Sequence, residues 1–379
     1  MKSYRKEDTE MNKKCIFHVP YRLDLVGNAA PMIRPRKIIS ALKNIGYEVY
    51  VIEGYAAERK KKIKRVKKEI RNGVKYQFLY TESSTMPTLL TDPHHMPVHP
   101  FVDFSFFSFA KRHGIKIGLF YRDIYWKFNN YKKVLPVWKS FFAIKCYKYD
   151  IRKYRKLLSK MYLPDRRVYE YLKSDSLEEI LDILPPGCDS AIWKGSKDGN
   201  KKIQKDILNI FYVGGLGEQY QLIELAAAVS EVENCRLTLC CRKDEWEKEK
   251  NNYGKYLRGN IDIVHRSGKE LEDFYFRADI CSLMFKPDIY REMAIPYKSF
   301  EYLAHGKPVF ASQGTAIGDF VGKNDIGWVL DYGRNQIKKQ LQELIDFPEL
   351  IDEKRKSCLK VREQNTWEVR AKKIEEDLS

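Results

Sequence analysis

Apolar and polar positions along this chain fall into short blocks whose period switches between strand and helix. Residues 15–20 (CIFHVP) form a compact apolar run, the pattern of a buried strand. Residues 35–44 (PRKIISALKN) then place Ile38, Ile39 and Leu42 at helical spacing, and Gly46 stands where a helix C-cap belongs. Residues 48–52 (EVYVI) return to a strand pattern, which completes a βαβ unit. Further strands are predicted at 75–80 and 116–121. The first half therefore reads as a doubly wound parallel sheet.

The second half repeats the alternation. Residues 208–213 (LNIFYV) predict a strand, followed by Gly214, Gly215 and Gly217 and a helical run at 222–229. Strands are expected at 236–241, 260–264, 280–284 and 308–311, with helices at 271–277 and 299–305. This is a second doubly wound sheet. Between the halves, 183–190 (ILPPGCDS) has the Pro/Gly composition of a linker, and 191–205 is polar. In the tail, Trp367, Ala371, Ile374 and Leu378 share one helix face.

With 379 residues and 44% hydrophobic content, the chain can build two cores and is not disordered. It has no apolar run long enough for a transmembrane helix. Its start is charged and lacks the apolar region of a signal peptide. The eight cysteines form no CxxC and no metal-ligand spacing, so reduced thiols are expected. The net charge of +18 is uneven: residues 1–200 carry 40 Lys and Arg against 21 Asp and Glu, so the second half is nearly neutral. A basic half points to one anionic partner surface: nucleic acid, membrane or a phosphorylated substrate. The run 59–71 (RKKKIKRVKKEIR) holds nine of those cations around a thin stripe of Ile63, Val66 and Ile70. The stretch 126–163 mixes aromatics with Lys and Arg; the basic run with its stripe is expected to face an anionic membrane, with Trp126, Trp138, Phe141 and Phe142 at headgroup depth.

The sharpest chemistry lies at 295–309 (IPYKSFEYLAHGKPV). Pro296 starts a helix, and Lys298 and Glu301 fall on one face of its first turns. A helix N-terminus with a Lys can hold a diphosphate, and a Glu one turn on can accept from a ribose diol. The same residues also fit a surface Lys–Glu pair on an ordinary helix.

This segment resembles the donor-site motif of GT-B glycosyltransferases, in particular glycosyltransferase family 4 (glycosyl transferases group 1) and its bacterial relatives. Their pattern, Pro-x-Lys-x-x-Glu-Tyr-x-Ala-x-Gly-x-Pro-Val, is met at Pro296, Lys298, Glu301, Tyr302, Ala304, Gly306, Pro308 and Val309. In order before it come 212–216 (YVGGL), like the donor domain's first strand and Gly loop, and 184–189 (LPPGCD), like the interdomain segment. The resemblance spans nearly the whole chain. It implies an α/β chain of GT-B fold, two Rossmann-like doubly wound domains facing across a cleft. Residues 1–190 would bind acceptor and 191–365 the nucleotide-sugar donor, with the helix 366–379 packing back on the first domain. Gly215, Arg242, Lys298 and Glu301 are the expected donor ligands; Arg242 stands in for the family's diphosphate-binding Arg and Lys, because no Lys follows the Gly loop. Retaining relatives carry a second Glu eight positions before the motif Glu. Here that position is Met293; Glu292, one residue earlier, is the catalytic candidate in its place, brought there by a loop shift, and retention or inversion is left open.

In the first half, the loop 25–37 offers Gly27 for close approach and Arg34 for an anion, and Asp123, after the strand ending near 121, is the candidate base. Asp103 is its rival. Of His94, His95 and His99, His95 is assigned to the acceptor side; a metal site there is not expected, nor is any cofactor beyond the substrate, with UDP ahead of GDP. The expected activity moves a sugar to a hydroxyl on a lipid-linked or glycan acceptor in bacterial cell-surface polysaccharide or glycolipid assembly. The protein is expected in the cytoplasm, at an anionic membrane surface on the inner face. A GT-B nucleotide-sugar 2-epimerase and a basic nucleic-acid-binding protein are the alternatives; nucleic acid is not expected, since no recognised motif surrounds the basic residues.

Overall fold

The computed structural model describes residues 13–24, 30–128, 131, 135–190, 207–217 and 220–379. The chain divides into two compact units. Unit 1 comprises Met1–Pro164, Val168–Leu184 and Arg370–Ser379; unit 2 comprises Asp165–Arg167 and Pro185–Val369.

Unit 1 is built on strands β1 (Lys13–His18), β2 (Tyr47–Ile52), β3 (Phe78–Glu82), β4 (Lys116–Phe120), β5 (Lys160–Leu163) and β6 (Leu181–Ile183). All pair in parallel, in the order β2-β1-β3-β4-β5-β6. The connections include helices α1 (Ala30–Asn44), α2 (Ala56–Arg71), α3 (Val102–Arg112) and α4 (Val137–Leu157). β3 is buried along its whole length, as a parallel strand covered on both faces should be. The stripe on α2 is packed inward: Ile63, Val66 and Ile70 belong to the core. The stripe is thus not a membrane-facing surface, because the sheet takes it first. Trp126 is likewise buried, stacked on Tyr147 at 5.1 Å with its indole N–H donated to the Tyr121 hydroxyl.

The sheet of unit 2 carries β7 (Leu208–Val213), β8 (Cys235–Cys240), β9 (Ile261–Val264), β10 (Ile280–Leu283), β11 (Val309–Ser312) and β12 (Gly327–Leu330). These are also parallel, in the order β12-β11-β10-β7-β8-β9. Helices α5 (Ile223–Val229), α6 (Lys243–Tyr253), α7 (Glu272–Arg277), α8 (Tyr297–Ala304), α9 (Ala316–Asn324), α10 (Arg334–Asp346) and α11 (Glu349–Glu363) flank it. The chain reverses its winding between β7 and β10, so their carboxyl ends form the switch point where α/β sheets bind ligands. In unit 1 the corresponding switch point is β1/β3.

The last helix, α12 (Trp367–Leu378), lies mostly in unit 1. Leu378 seats on β4 at Gly118, where any Cβ would come within 2.6 Å of Leu378 Cδ1. Lys373 binds Asp182 at 2.8 Å, and the Tyr162 hydroxyl donates to Asp377 at 3.0 Å. Two strands of unit 1, β5 and β6, had no readable pattern in the sequence. β5 is a four-residue strand that follows directly on the basic, aromatic α4, and β6 is three residues long.

Candidate functional site

In unit 2, the switch point brings together the Gly loop after β7 and the segment between β10 and α8. Pro296 sets an extended residue at the N-cap of α8, and its carbonyl accepts from Ser299 N at 3.1 Å in the first turn. Lys298 Nζ lies 2.6 Å from Glu301 Oε2, and both side chains are half-buried. The same Glu301 oxygen accepts from the Tyr275 hydroxyl at 2.8 Å. Burial and the Glu301 charge push the Tyr275 phenol well above its ordinary range, so it remains a donor. His305 stacks on Tyr275 with centroids 4.0 Å apart. Its Nδ1 bonds the Glu301 carbonyl at 2.7 Å, and its Nε2 lies 3.1 Å from Glu272. These contacts fix the Glu301 turn. Behind it, the Tyr302 hydroxyl accepts from Val213 N at 3.1 Å and ties α8 to the end of β7.

The Gly loop is held from two sides. The Tyr212 hydroxyl donates to the Gly215 carbonyl at 2.5 Å, and Leu216 N donates to Glu245 Oε2 at 3.3 Å. A Cβ on Gly214 would come within 2.4 Å of the Tyr212 hydroxyl, so this position needs glycine. Arg242 is the N-cap residue of α6; its side chain is 75% exposed and pairs with Glu245 Oε1 at 3.1 Å. It therefore reaches the loop through Glu245.

One cation beside this loop had no sequence signal. Arg291 is 2% exposed, with its guanidinium 4.3 Å from the centroid of Tyr220 and 4.5 Å from that of Phe285. Nothing in the spacing of 286–295 marks it: Phe285 and Tyr290 are near in sequence, but the ring it lies nearest, Tyr220, comes from 71 positions away. Glu292 beside it is exposed, and Met293, at the position of the second family Glu, is buried.

In unit 1 the carboxyl edge of the sheet is crowded with buried charge. His18 ends β1; its Nδ1 lies 2.8 Å from Thr81 Oγ1 and its Nε2 2.9 Å from Asp103 Oδ1. Arg59 donates to both Asp103 oxygens, at 2.9 and 2.7 Å, and to the carbonyls of Pro20 and Gly54. Burial alone would raise the Asp103 carboxyl, but the His18 hydrogen bond and the Arg59 charge hold it well below the usual range. Asp103 is thus committed to structure and not placed as a free base. Burial also lowers His18, which keeps it neutral.

Arg34 is 4% exposed. It donates to Glu82 at 3.2 Å and to the Leu184 carbonyl at 3.2 Å, and lies 3.6 Å over the Phe120 ring. Glu82 also receives Arg122 at 3.2 Å, and Arg122 reaches the Tyr21 hydroxyl. Next to them, Asp123 Oδ1 accepts from Tyr125 N at 2.7 Å, and burial raises its carboxyl, the direction a general base needs. His95 stands on an exposed turn at positive φ, with Nδ1 3.1 Å from the Leu90 carbonyl. Gly27 lies outside the described residues. Among the described residues, no group of three or more His, Cys, Asp or Glu could hold a metal ion.

No protein-family model and no curated protein sequence matches this chain. Solved structures do, over nearly the full length of both partners. Sucrose-phosphate synthase from Thermosynechococcus elongatus aligns with a TM-score of 0.61 at 14% identity, covering 96% of this chain and 97% of that one. Anabaena HepE, solved in complex with UDP, gives 0.63 at 11% identity over 96% and 98%. WaaG, a glycosyltransferase involved in lipopolysaccharide biosynthesis, gives 0.58 at 12% identity over 96% and 99%. The fold is that of the GT-B glycosyltransferases. Within this GT-B chain, the Lys298–Glu301 turn lies in unit 2 at the sheet's switch point.

Proposed function

We propose that this protein is a glycosyltransferase that moves a sugar from a nucleotide-diphosphate sugar to a hydroxyl acceptor. The observation that carries the reading is the α8 turn. Lys298 and Glu301 share one helix face at a switch point, with Tyr275 holding the carboxylate and His305 the backbone carbonyl of the same residue. Lys298 and the first N–H groups of α8 suit a diphosphate on which charge develops as the glycosidic bond breaks. Glu301, once Lys298 turns to phosphate, suits the ribose diol. HepE was also solved with UDP-glucose, which supports UDP ahead of GDP as the donor nucleotide. Unit 1 supplies the acceptor side, with Asp123 as the base if the reaction inverts. WaaG's part in lipopolysaccharide synthesis supports a bacterial cell-surface glycolipid or polysaccharide as product, made at the inner face of the membrane. Among the described residues, no helix is long and apolar enough to cross a membrane.

The test is incubation with labelled UDP- and GDP-sugars, with and without membrane lipid extract. Sugar transfer from a UDP donor to a lipid or glycan hydroxyl is expected. Epimer formation without transfer, or no turnover of either donor, overturns the reading. Asp123→Asn should cut turnover more than donor affinity; full activity in that variant would remove Asp123 from the reaction.

A further inference from the structure

Helix α4 has two faces of different origin. Its inner arc, with Ala143, Cys146, Tyr147, Asp150, Ile151 and Tyr154, is buried in unit 1. Its outer arc changes character along the axis. In the first turn and a half it presents Val137, Trp138, Phe141 and Phe142, with Trp138 69% and Phe141 59% exposed. Beyond them the same arc carries Lys145, Lys148, Arg152 and Arg155, all exposed. Asp150 is the one acid in the helix, and it is on the buried arc. Lys139 and Lys145 lie against the Trp138 and Phe141 rings, at 5.4 and 4.4 Å from their centroids.

We infer that this helix docks unit 1 on an anionic lipid bilayer, with Val137, Trp138, Phe141 and Phe142 entering the headgroup region and the cations behind them meeting lipid phosphates. The inference deepens the reading above, in which the acceptor is lipid-linked. Contiguous exposed aromatics are costly in water unless a surface covers them. The choice of surface follows from the charge. At a rise of 1.5 Å per residue, Arg152 stands about 15 Å along the axis from Phe142. An amphipathic helix buries its apolar side chains roughly 5–10 Å into the headgroup boundary. With the tip at that depth, the cations fall among and above the lipid phosphates, where Lys and Arg stems can also adjust. A two-fold contact with these helices parallel would set each cation against its own mate; an antiparallel contact is the competing outcome, which light scattering reads. The cations of α2 are a different set, on a helix whose apolar stripe is used up in the core.

Flotation of the full-length protein with vesicles tests this. Vesicles of phosphatidylcholine alone are compared with vesicles that also contain phosphatidylglycerol, at low and high salt. Binding is expected only to the anionic vesicles, and salt should weaken it. Trp138→Ser with Phe141→Ser should reduce partitioning about tenfold or more, and so should Lys148→Gln with Arg152→Gln and Arg155→Gln. The second set should also flatten the salt dependence. Lys60→Gln with Lys61→Gln and Lys64→Gln on α2 should change it less than about twofold. All of these positions are exposed, so unchanged thermal melting is expected. The inference is overturned if the wild type fails to bind anionic vesicles at low salt. It is also overturned if the aromatic variant binds as well as the wild type, or if light scattering shows a dimer that this variant dissolves. UDP-sugar transfer to a soluble acceptor is measured on the same preparations. Transfer without vesicle binding removes the docking alone; vesicle binding without nucleotide affinity removes the glycosyltransfer alone.

Discussion

At the carboxyl edge of unit 1, Arg34, Arg59, Glu82 and Asp103 are buried, and each faces an opposite charge held by the fold. At the same edge of unit 2, Lys298 and Glu301 are half-exposed and face each other across one turn of helix. Both edges carry cations and carboxylates, but only one set can change partners at low cost. A buried pair loses several kcal/mol when one member goes, because the other is left uncompensated in low dielectric. A pair that solvent still reaches, as here, is worth less, on the order of 1 kcal/mol, so its Lys can turn to a phosphate at lower cost. On this basis the charges of unit 1 mainly hold structure, and those of unit 2 are available for a ligand.

The largest test of that contrast is Asp103→Ala. It strips the carboxylate from Arg59 and from His18 together, and it should cost about 3–5 kcal/mol of stability. Calorimetry should show one transition, that of unit 1, moving down while the other stays. Two unmoved transitions would mean that the cluster is not a keystone of unit 1.

A second test uses pH. Burial pushes the Asp150 carboxyl up to about 7, with Asp103 adding in the same direction and the Thr88 N–H, 2.7 Å from Oδ2, opposing it. Its other oxygen, Oδ1, is buried with no hydrogen-bond partner among the described residues. The tyrosines 121 and 154 and Cys146 share its surroundings. Between the ordinary carboxylate pKa and 7, the folded chain keeps the proton and the unfolded chain loses it. This contribution to stability is therefore fully present below about pH 4 and is lost as pH rises to 7. Its size is on the order of 4 kcal/mol. Asp150→Asn should flatten the dependence of the melting temperature of unit 1 on pH between about 4 and 7, the window set by that shift. An unchanged slope would place the titration elsewhere.

These two sites also show why sequence read one unit better than the other. Lys298 and Glu301 are three residues apart, and a local helical pattern is enough to put them on one face. Arg59 was readable only as one of nine cations in a basic run. Its partner Asp103 is 44 positions away, and His18 meets that same carboxylate across 85. The Arg34–Glu82 pair spans 48. Charge along the chain cannot tell a solvated Arg from a buried one when the partner comes from another element. The alternation of periods gave most strands of both sheets to within a residue or two. It failed where the segment was short, as at β6, or where aromatic and basic residues ran together, as at α4 and β5. In α4 the mixture has a structural reason: one arc is core and the other is surface, so neither period stands out.

On the unit 2 side, Lys298→Ala should lose a charge-assisted phosphate contact, which lowers nucleotide affinity by about 1.5–3 kcal/mol. Melting should hardly change, as expected for a half-exposed pair. Glu301→Ala should weaken binding in the same direction, by an amount set by the ribose contacts, with the fold intact. Near-native UDP affinity in both variants, measured by calorimetric titration, would remove the donor site from α8.

The smallest effect is expected at Arg242, and it separates direct from relayed contact at the Gly loop. Its side chain is largely in water and pairs with Glu245, whose other oxygen receives Leu216 N. Solvent screens an exposed guanidinium, so Arg242→Ala should cost below about 1 kcal/mol in stability. If Arg242 acts only by steadying Glu245, nucleotide affinity should fall less than about fivefold and the loss should be nearly insensitive to salt. Glu245→Gln should then produce a similar loss, because it keeps the shape but weakens both the ion pair and the loop contact. A drop as deep as that of Lys298→Ala, steep in salt and absent from Glu245→Gln, would make Arg242 a direct diphosphate ligand. The exposed charges of unit 2 would then include a second cation that leaves its carboxylate for the substrate, and the contrast with the sealed pairs of unit 1 would sharpen.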